Sequence, residues 1–207
     1  MTTTYTIDPV SLPVLDEIGR AALFTEARTA NSFADIPVSD AELRSIWELA
    51  KWPPTAANTQ PLRVLYVRSD EAKARLLPLM SEGNRAKTAS APVVAVLAAD
   101  LDFHEHVPTL FPLRPGLKEH FGADAVLRER QARSNAWLQA GYFLLAVRAN
   151  GLAAGPMGGF DAAGIDREFF PGGRYASLLV VNIGHPGEKA WFDRLPRLEE
   201  EDVLQWA

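Results

Sequence analysis

The stretch of residues 51–61, KWPPTAANTQP, constrains the fold of this chain more than any other part of its sequence. A helix-like run ends here in Pro53 and Pro54, and two consecutive prolines fix the backbone and cannot continue a helix. The turn that follows carries small side chains and one amide, Asn58, so a flat group could lie against its backbone. A second stretch of small residues, GLAAGPMGGFD, follows at 151–161. Two stiff, sterically bare loops in one chain indicate a planar cofactor rather than a metal or a nucleophile.

The composition is that of a single globular domain and argues against several other classes of protein. The chain has 207 residues, 47% of them hydrophobic, which is enough to bury a core. Its net charge of −5 argues against nucleic acid and anionic membranes as partners. The absence of cysteine excludes disulfides, thiolate nucleophiles and cysteine-ligated metals. The longest apolar run, 91–99, is too short to span a bilayer, and residues 1–10 lack the features of a secretory signal, so we expect a cytoplasmic protein.

The pattern of apolar residues predicts an α+β fold. Hydrophobic periodicity and capping signals predict helices at about 12–28, 39–50, 69–80, 123–150 and 161–169, and strands at 64–67, 92–99 and 175–183. Long helices and few strands in mixed order are typical of the α+β class. We expect one domain over residues 1–207, preceded by a loose arm at 1–10.

Three segments suggest contacts or movement beyond this core. Residues 100–121 contain three prolines and are expected to form an irregular, lid-like loop. The second half of the long helix, 136–147, is apolar nearly all round, which is typical of a core or an interface. The polar tail, 185–207, carries Trp191, Phe192 and Trp206, so we expect it to pack on a partner.

Two groups of cations are candidates for binding a phosphate, although each has a plainer interpretation. Arg28 and Thr29, with Asn31 nearby, offer charge-assisted and hydroxyl donors at a helix end. Taken alone, they are better explained as a cation on a helix C-terminus. Arg194 and Arg197 in the tail, taken alone, would be solvated surface charges.

The two bare loops also have two interpretations. Asn58 can both donate and accept, which suits the edge of a pyrimidine-like ring, or it can bond to its own turn. The segment 156–159, PMGG, can bring backbone close to a ligand, or it can be a simple turn. No metal site is predicted, because His104 and His106 have no clear third ligand. Neither a dinucleotide-binding fingerprint, a P-loop nor a nucleophile elbow is present.

Taken together and in order, these segments resemble the FMN-dependent nitroreductase family. The resemblance is carried by residues 27–33 (ARTANSF), 54–61 (PTAANTQP), 156–161 (PMGGFD) and 175–184 (YASLLVVNIG). The chain is most similar to one branch, the malonic semialdehyde reductases of pyrimidine degradation. That similarity lies in residues 23–29, 51–55, 155–157 and 194–198.

The resemblance implies an α+β homodimer around a mixed sheet flanked by helices, with two FMN sites at the subunit interface and the long helix and tail spanning it. The resemblance implies that Arg28 and Thr29, near Asn31, bind the FMN phosphate with help from Arg194 or Arg197. It places Asn58 at the pyrimidine edge of the ring and the backbone near Gly158 and Gly159 beside flavin N5. The remaining implied cofactor-binding residues are Pro54, Thr55, Ala56, Gln60, Pro156 and Met157. Because N5 would carry the hydride, no catalytic side chain is predicted. Four positions depart from the family pattern: Ala27 and Asn31 replace frequent arginines, Gly158 replaces a frequent glutamate, and Leu62 replaces a frequent tryptophan.

The implied activity is a ping-pong transfer of hydride from NADH or NADPH to a small acceptor. The favoured acceptor is malonic semialdehyde, which would be reduced to 3-hydroxypropionate. A general nitroaromatic or quinone reductase is the alternative, and a flavin-binding protein without turnover is the third hypothesis. The sequence does not decide between NADH and NADPH. It also does not decide which of Arg114, Lys118 and Arg133 would bind a substrate carboxylate.

Overall fold

The computed structural model describes residues 12–207, so the predicted arm at 1–10 lies outside the described residues. The helices are α1 Glu17–Arg20, α2 Asp40–Ala50, α3 Asp70–Leu76, α4 Glu82–Ser90, α5 Val107–Leu110, α6 Leu117–Ala123, α7 Ala125–Ala149, α8 Ala162–Phe169 and α9 Glu200–Val203. The strands are β1 Leu62–Val67, β2 Val93–Asp100, β3 Ala153–Met157 and β4 Tyr175–Gly184. Short turns of 3-10 helix lie at Ala56–Asn58, Leu77–Leu79 and Phe103–His106, and a π-helical turn, Ala21–Thr25, continues α1.

Most of the predicted helices are confirmed by their caps. Ser39 accepts a hydrogen bond from the backbone N–H of Glu42, whose carboxylate accepts one from the N–H of Ser39, so the predicted capping box is present. The long helix α7 ends before Gly151, which has a φ of +73°. The first helix is shorter than predicted because Asp16 caps it at Glu17 by accepting from the N–H of Gly19.

The sheet has the strand order β1-β2-β4-β3, and all three pairings are antiparallel. The α+β class is confirmed, but the parallel pairing of a mixed sheet is not found within residues 12–207. The connections explain this difference: the chain leaves β1 at Val67 and enters β2 at Val93, which lie at the same end of the sheet. Every residue of β2 is buried, as its continuous apolar sequence predicts.

Two hydrophobic clusters cover the two faces of the sheet. Helix α7 packs on one face through small side chains, including Ala132, Ala136 and Ala140, together with the fully buried Phe143. On the other face, Phe33 and Met157 belong to the second cluster. The packed sheet therefore fixes the positions from which the loops at its edges begin.

Two segments differ from the prediction. The sequence AAGPM is poor in strand-forming residues and predicts a loop, but it forms strand β3. It forms at the edge of the sheet, where a proline is tolerated, by pairing with β4.

The expectation of irregular backbone at 100–121 is also wrong, since α5, most of α6 and a 3-10 turn lie there. These elements form because Phe103, Val107, Leu117 and Phe121 are buried in the core. Pro108 sits in the first turn of α5, where proline is accepted. Movement of this segment as a lid stays a prediction.

Candidate functional site

One cavity of about 370 Å³ brings together the residues predicted to bind a phosphate. Its lining includes all five of them, namely Arg28, Thr29, Asn31, Arg194 and Arg197. The two groups lie more than 160 positions apart in the chain (from 28 to 194), so only the fold joins them. We call this space the arginine cavity.

The arginine cavity is built by a loop that lies between β3 and the tail. The backbone N–H of Ala30 donates to the carbonyl of Ala154 in β3 at 3.0 Å, and that of Asn31 donates to Ala190 at 2.9 Å. The Arg28 guanidinium donates to the carbonyl of Phe192 at 3.1 Å. The loop and the tail thus hold each other in place, with the charged side chains between them.

The arginines of the tail use only part of their donor capacity. Arg194 donates to the carbonyl of Thr25, at the end of the π-helical turn. Arg197 donates to the carbonyls of Leu195 and Pro196. Because a guanidinium carries five N–H donors, each side chain keeps several for a ligand.

A fourth arginine in this cavity, Arg148, was missed by the sequence analysis. It lies in the last turn of α7 and lines both the arginine cavity and an adjoining space of about 220 Å³. In the sequence, Arg148 looks like an ordinary cation on a helix C-terminus. Only the three-dimensional arrangement shows that it faces the same space as Arg28.

The charge of this region suits a phosphate. Arg28, Arg148, Arg194 and Arg197 contribute four positive charges, while Glu26 and Asp193 contribute two negative ones, so the lining carries a net charge of plus two. A phosphate monoester carries between one and two negative charges near neutral pH. The residues present therefore fit the phosphate end of FMN.

The turn at 54–60 has a strained backbone. Ala57, Asn58 and Gln60 have φ values of 50°, 52° and 43°, in the left-handed region that disfavours side chains. The turn is fastened to α7, because the N–H of Ala56 donates to the Asn135 side chain at 2.8 Å. Such strain persists only where the surroundings hold it, and it is concentrated at functional sites.

The Asn58 amide already bonds within its own neighbourhood. Its Nδ2 donates to the carbonyl of Leu110 at 2.9 Å, and its Oδ1 accepts from Gln60 at 2.8 Å. One N–H and one lone pair of this exposed side chain remain. The Asn58 side chain thus bonds to the Gln60 side chain of its own turn and to the backbone of α5, and not to the turn backbone. Contact with a ring edge stays a prediction.

The turn and the arginine cavity do not form one space in a single chain. Gln60 lines another cavity of about 540 Å³, together with Trp47, Leu62, Tyr66 and Leu110 among others. This second cavity shares no lining residue with the arginine cavity.

The segment 156–159 presents bare backbone at the end of β3. A Cβ added at Gly158 would meet no atom within 4 Å, whereas one at Gly159 would come within 2.8 Å of Asn84 Nδ2. The Gly159 carbonyl accepts from this Nδ2 at 2.9 Å and from the N–H of Ser81 at 3.0 Å. A side chain at Gly159 would therefore force Asn84 and Ser81 to shift, while the space at Gly158 is open.

The structure supports neither a metal site nor a membrane-spanning helix within the described residues. Across residues 12–207, no group of three or more His, Asp or Glu side chains could hold a metal ion. Among the described helices, none combines the length and apolar character needed to cross a membrane.

Comparison with known proteins finds relatives over nearly the whole chain. Residues 24–185 match the Nitroreductase family. A protein of Streptomyces coelicolor, named an NADH dehydrogenase/NAD(P)H nitroreductase, is 63% identical over 196 residues. The match covers 95% of this chain and 97% of that protein.

Two solved structures share the fold at lower identity. A nitroreductase of Exiguobacterium sibiricum in complex with FMN has a TM-score of 0.79 at 21% identity, over 94% of this chain and 98% of that one. An NAD(P)H:FMN oxidoreductase of Staphylococcus epidermidis has a TM-score of 0.78 at 20% identity, with the same coverage. At these identities the likeness supports the α+β fold.

Proposed function

The chain belongs to the nitroreductase family, and we propose that it is an oxidoreductase that uses FMN to pass a hydride from NADH or NADPH to a small organic acceptor in a ping-pong cycle. Bound FMN would supply the redox chemistry, since its N5 can accept and donate a hydride. The protein's own contribution is to bind the cofactor, orient it and shape the space beside it.

The observation that carries this proposal is the convergence of Arg28, Arg194 and Arg197 on one cavity with a net positive lining. These residues would hold the phosphate through charge-assisted hydrogen bonds. Pro156 to Gly159 would lie along the ring, with the open space at Gly158 leaving room for the nicotinamide and then for the acceptor. The names of the relatives, NAD(P)H nitroreductase and NAD(P)H:FMN oxidoreductase, agree with this choice of cofactors.

We further propose that the active form is a homodimer, with the turn 54–60 of one subunit completing the arginine cavity of the other. The separation of the two cavities within a single chain supports this arrangement. The outer face of α7 exposes Trp137, Leu138 and Tyr142, with 41–48% of each residue accessible. In the tail, Phe192, Leu195, Leu198 and Trp206 are exposed as well. Apolar surface on this scale is typical of a protein–protein interface.

Charges placed on the outer face of α7 are expected to separate the subunits. The wild-type protein should have about twice the 22.7 kDa mass of one chain in light scattering. The double variant Trp137→Glu/Tyr142→Glu should have the mass of one chain, because it would bury unpaired carboxylates in the interface. A control is Leu113→Glu, which changes a more exposed apolar residue outside this face and should stay dimeric. A dimeric double variant, or a monomeric wild type, would contradict the proposed interface.

For the acceptor, we propose malonic semialdehyde, whose aldehyde would take up the hydride and a proton to give 3-hydroxypropionate. This finer assignment rests on the resemblance of residues 51–55 and 194–198 to that branch of the family. Of the three candidate cations for its carboxylate, Lys118 pairs with Glu105 and Arg133 pairs with Glu129. Arg114 forms no salt bridge with any described residue, which favours it for this role.

The alternative is a general reductase of nitroaromatics or quinones, and the name of the Streptomyces coelicolor relative favours it. A flavin-binding protein without turnover is the third possibility. The open space at Gly158 argues against it, because a second molecule can reach the bare backbone there.

Stepwise anaerobic titration of the purified protein separates the three functions. We expect visible flavin absorbance that bleaches with NADH or NADPH and returns when malonic semialdehyde is added. Recovery only with a quinone or nitroarene would support the general reductase instead. Flavin that binds but is not reduced by either nicotinamide would indicate the non-catalytic protein, and failure to bind added FMN would refute the cofactor and its binding residues.

A further inference from the structure

We propose that Arg148 is a ligand of the FMN phosphate, so that α7 contributes to cofactor binding alongside the loop and the tail. This inference rests on the proposed function. It adds a residue from a different element, which neither the sequence pattern nor the comparisons assign to the site.

The first argument is that Arg148 is poorly satisfied within its own chain. It is partly buried, and it donates one hydrogen bond, to the carbonyl of Leu23 at the long distance of 3.4 Å. No carboxylate among residues 12–207 lies within 4.0 Å of its guanidinium. Partly buried charges in native proteins are normally paired or fully hydrogen-bonded, since an isolated one is costly. An incoming anion would remove this cost.

Another arginine on the same helix shows the contrast. Arg128, near the start of α7, is also partly buried and has no carboxylate partner in the described chain. It donates to three carbonyls, those of Leu101, Phe121 and Gly122, at 3.1–3.2 Å. Arg128 therefore has a complete structural role, which Arg148 lacks.

The second argument is position. Arg148 lines both the arginine cavity and the adjoining space, and Ala27 and Arg28 are shared between them in the same way. Of the three residues that line both spaces, Ala27 is uncharged, so Arg148 supplies the second positive charge beside Arg28. A phosphate held by Arg28 would thus lie beside a second planar fork of donors, the arrangement that favours bidentate binding of phosphate.

The third argument is that the charge cannot be avoided. Burial lowers the pKa of Arg148, but an arginine remains protonated in proteins at neutral pH. The cation therefore stays in its partly desolvated position whether or not a ligand is bound.

The test compares variants that lack the Arg148 guanidinium, and it compares FMN with riboflavin, which lacks the phosphate. The full-length protein, freed of flavin, is titrated with FMN and with riboflavin, and flavin fluorescence reports binding. For Arg148→Met we expect the Kd of FMN to rise by roughly 10- to 100-fold, the usual effect of losing a hydrogen bond to a charged group. The Kd of riboflavin should stay within about twofold, because riboflavin has no phosphate for Arg148 to bind.

Two control variants keep the result interpretable. Arg128→Met removes a partly buried guanidinium from the other end of α7, and it should leave the FMN-to-riboflavin affinity ratio unchanged. Arg148→Lys keeps the charge but loses the planar guanidinium, so we expect a smaller loss of affinity for FMN and none for riboflavin. This variant serves as the test if Arg148→Met does not fold.

Each outcome is decisive. Equal weakening of FMN and riboflavin in the Arg148 variants would show a structural role and overturn the proposal, as would unchanged FMN affinity. If the wild-type protein binds neither flavin, the proposed function itself has failed, whatever the variants do.

Discussion

Replacing Asp100 with alanine is expected to lower the free energy of unfolding by about 3 kcal/mol. Asp100 ends β2, is fully buried, and binds two arginines: Arg63 donates to Oδ2 at 2.6 Å, and Arg174 donates to both oxygens at 2.9 Å. Its Oδ1 also accepts from the N–H of Asp102. The variant would leave two guanidiniums without their shared partner. About a third of each arginine side chain is exposed to water, so we expect a loss of stability at the lower end of the range for broken buried ion pairs.

The effect of this substitution should depend on pH. Burial alone would raise the pKa of Asp100, but the hydrogen bond from Arg174 and the charge of Arg63 outweigh burial and hold the pKa below its usual range. A carboxyl with a lowered pKa stabilises the fold fully above its unfolded value of about 3.9, and this contribution is lost as the pH falls through the folded value. The stability difference between wild type and Asp100→Ala should therefore be constant from pH 7 to about pH 5 and shrink below pH 4.

Urea unfolding at pH 7, 5 and 3.5 measures both effects. The matched control is Glu129→Ala, which breaks the exposed pair with Arg133 and should cost less than about 1 kcal/mol at any of these pH values. If Asp100→Ala costs no more than this control at pH 7, the buried cluster does not stabilise the fold as we argue.

The elements that could be predicted from the sequence are those determined by local patterns. Helix α7 and the Ser39 capping box follow from neighbouring residues alone, and the apolar β2 from its own composition. Strand β3 could not be predicted, because AAGPM forms a strand only by pairing with β4. The helices α5 and α6 were missed for a similar reason: burial of Val107 and Phe121 in the core outweighs a sequence rich in prolines.

The candidate site shows the same division. Arg28, Thr29 and Arg194 could be predicted, because the motifs around them resemble those of the family. Arg148 and Asn84 could not, since a cation near a helix end and an amide in a polar helix are common in any protein. Their significance comes from contacts with residues far away in the chain, such as the bond from Asn84 to Gly159.

Replacing Gly155 with valine is expected to weaken FMN binding by at least about 10-fold and to lower the free energy of unfolding by about 1–3 kcal/mol. A Cβ at Gly155 would lie 2.6 Å from the carbonyl oxygen of Ala30, which real Cβ atoms do not approach so closely. Ala30 is itself fastened to β3 through Ala154, so the loop cannot keep this bond and also move aside. Because Arg28 is two residues from this contact, displacing the loop would carry its guanidinium away from the phosphate.

The control for this variant is a glycine that packing does not require. Gly83 is the second residue of α4, and a Cβ there would meet no atom within 4 Å, so Gly83→Ala should not lower the free energy of unfolding and should leave FMN binding unchanged. Urea unfolding and flavin titration on both variants give the two quantities needed. Gly155→Val protein that binds FMN as tightly as wild type would show that the loop of Arg28 does not set cofactor affinity. A loss of stability without a loss of FMN affinity would lead to the same conclusion, because it would show that the contact between Gly155 and Ala30 matters for packing alone.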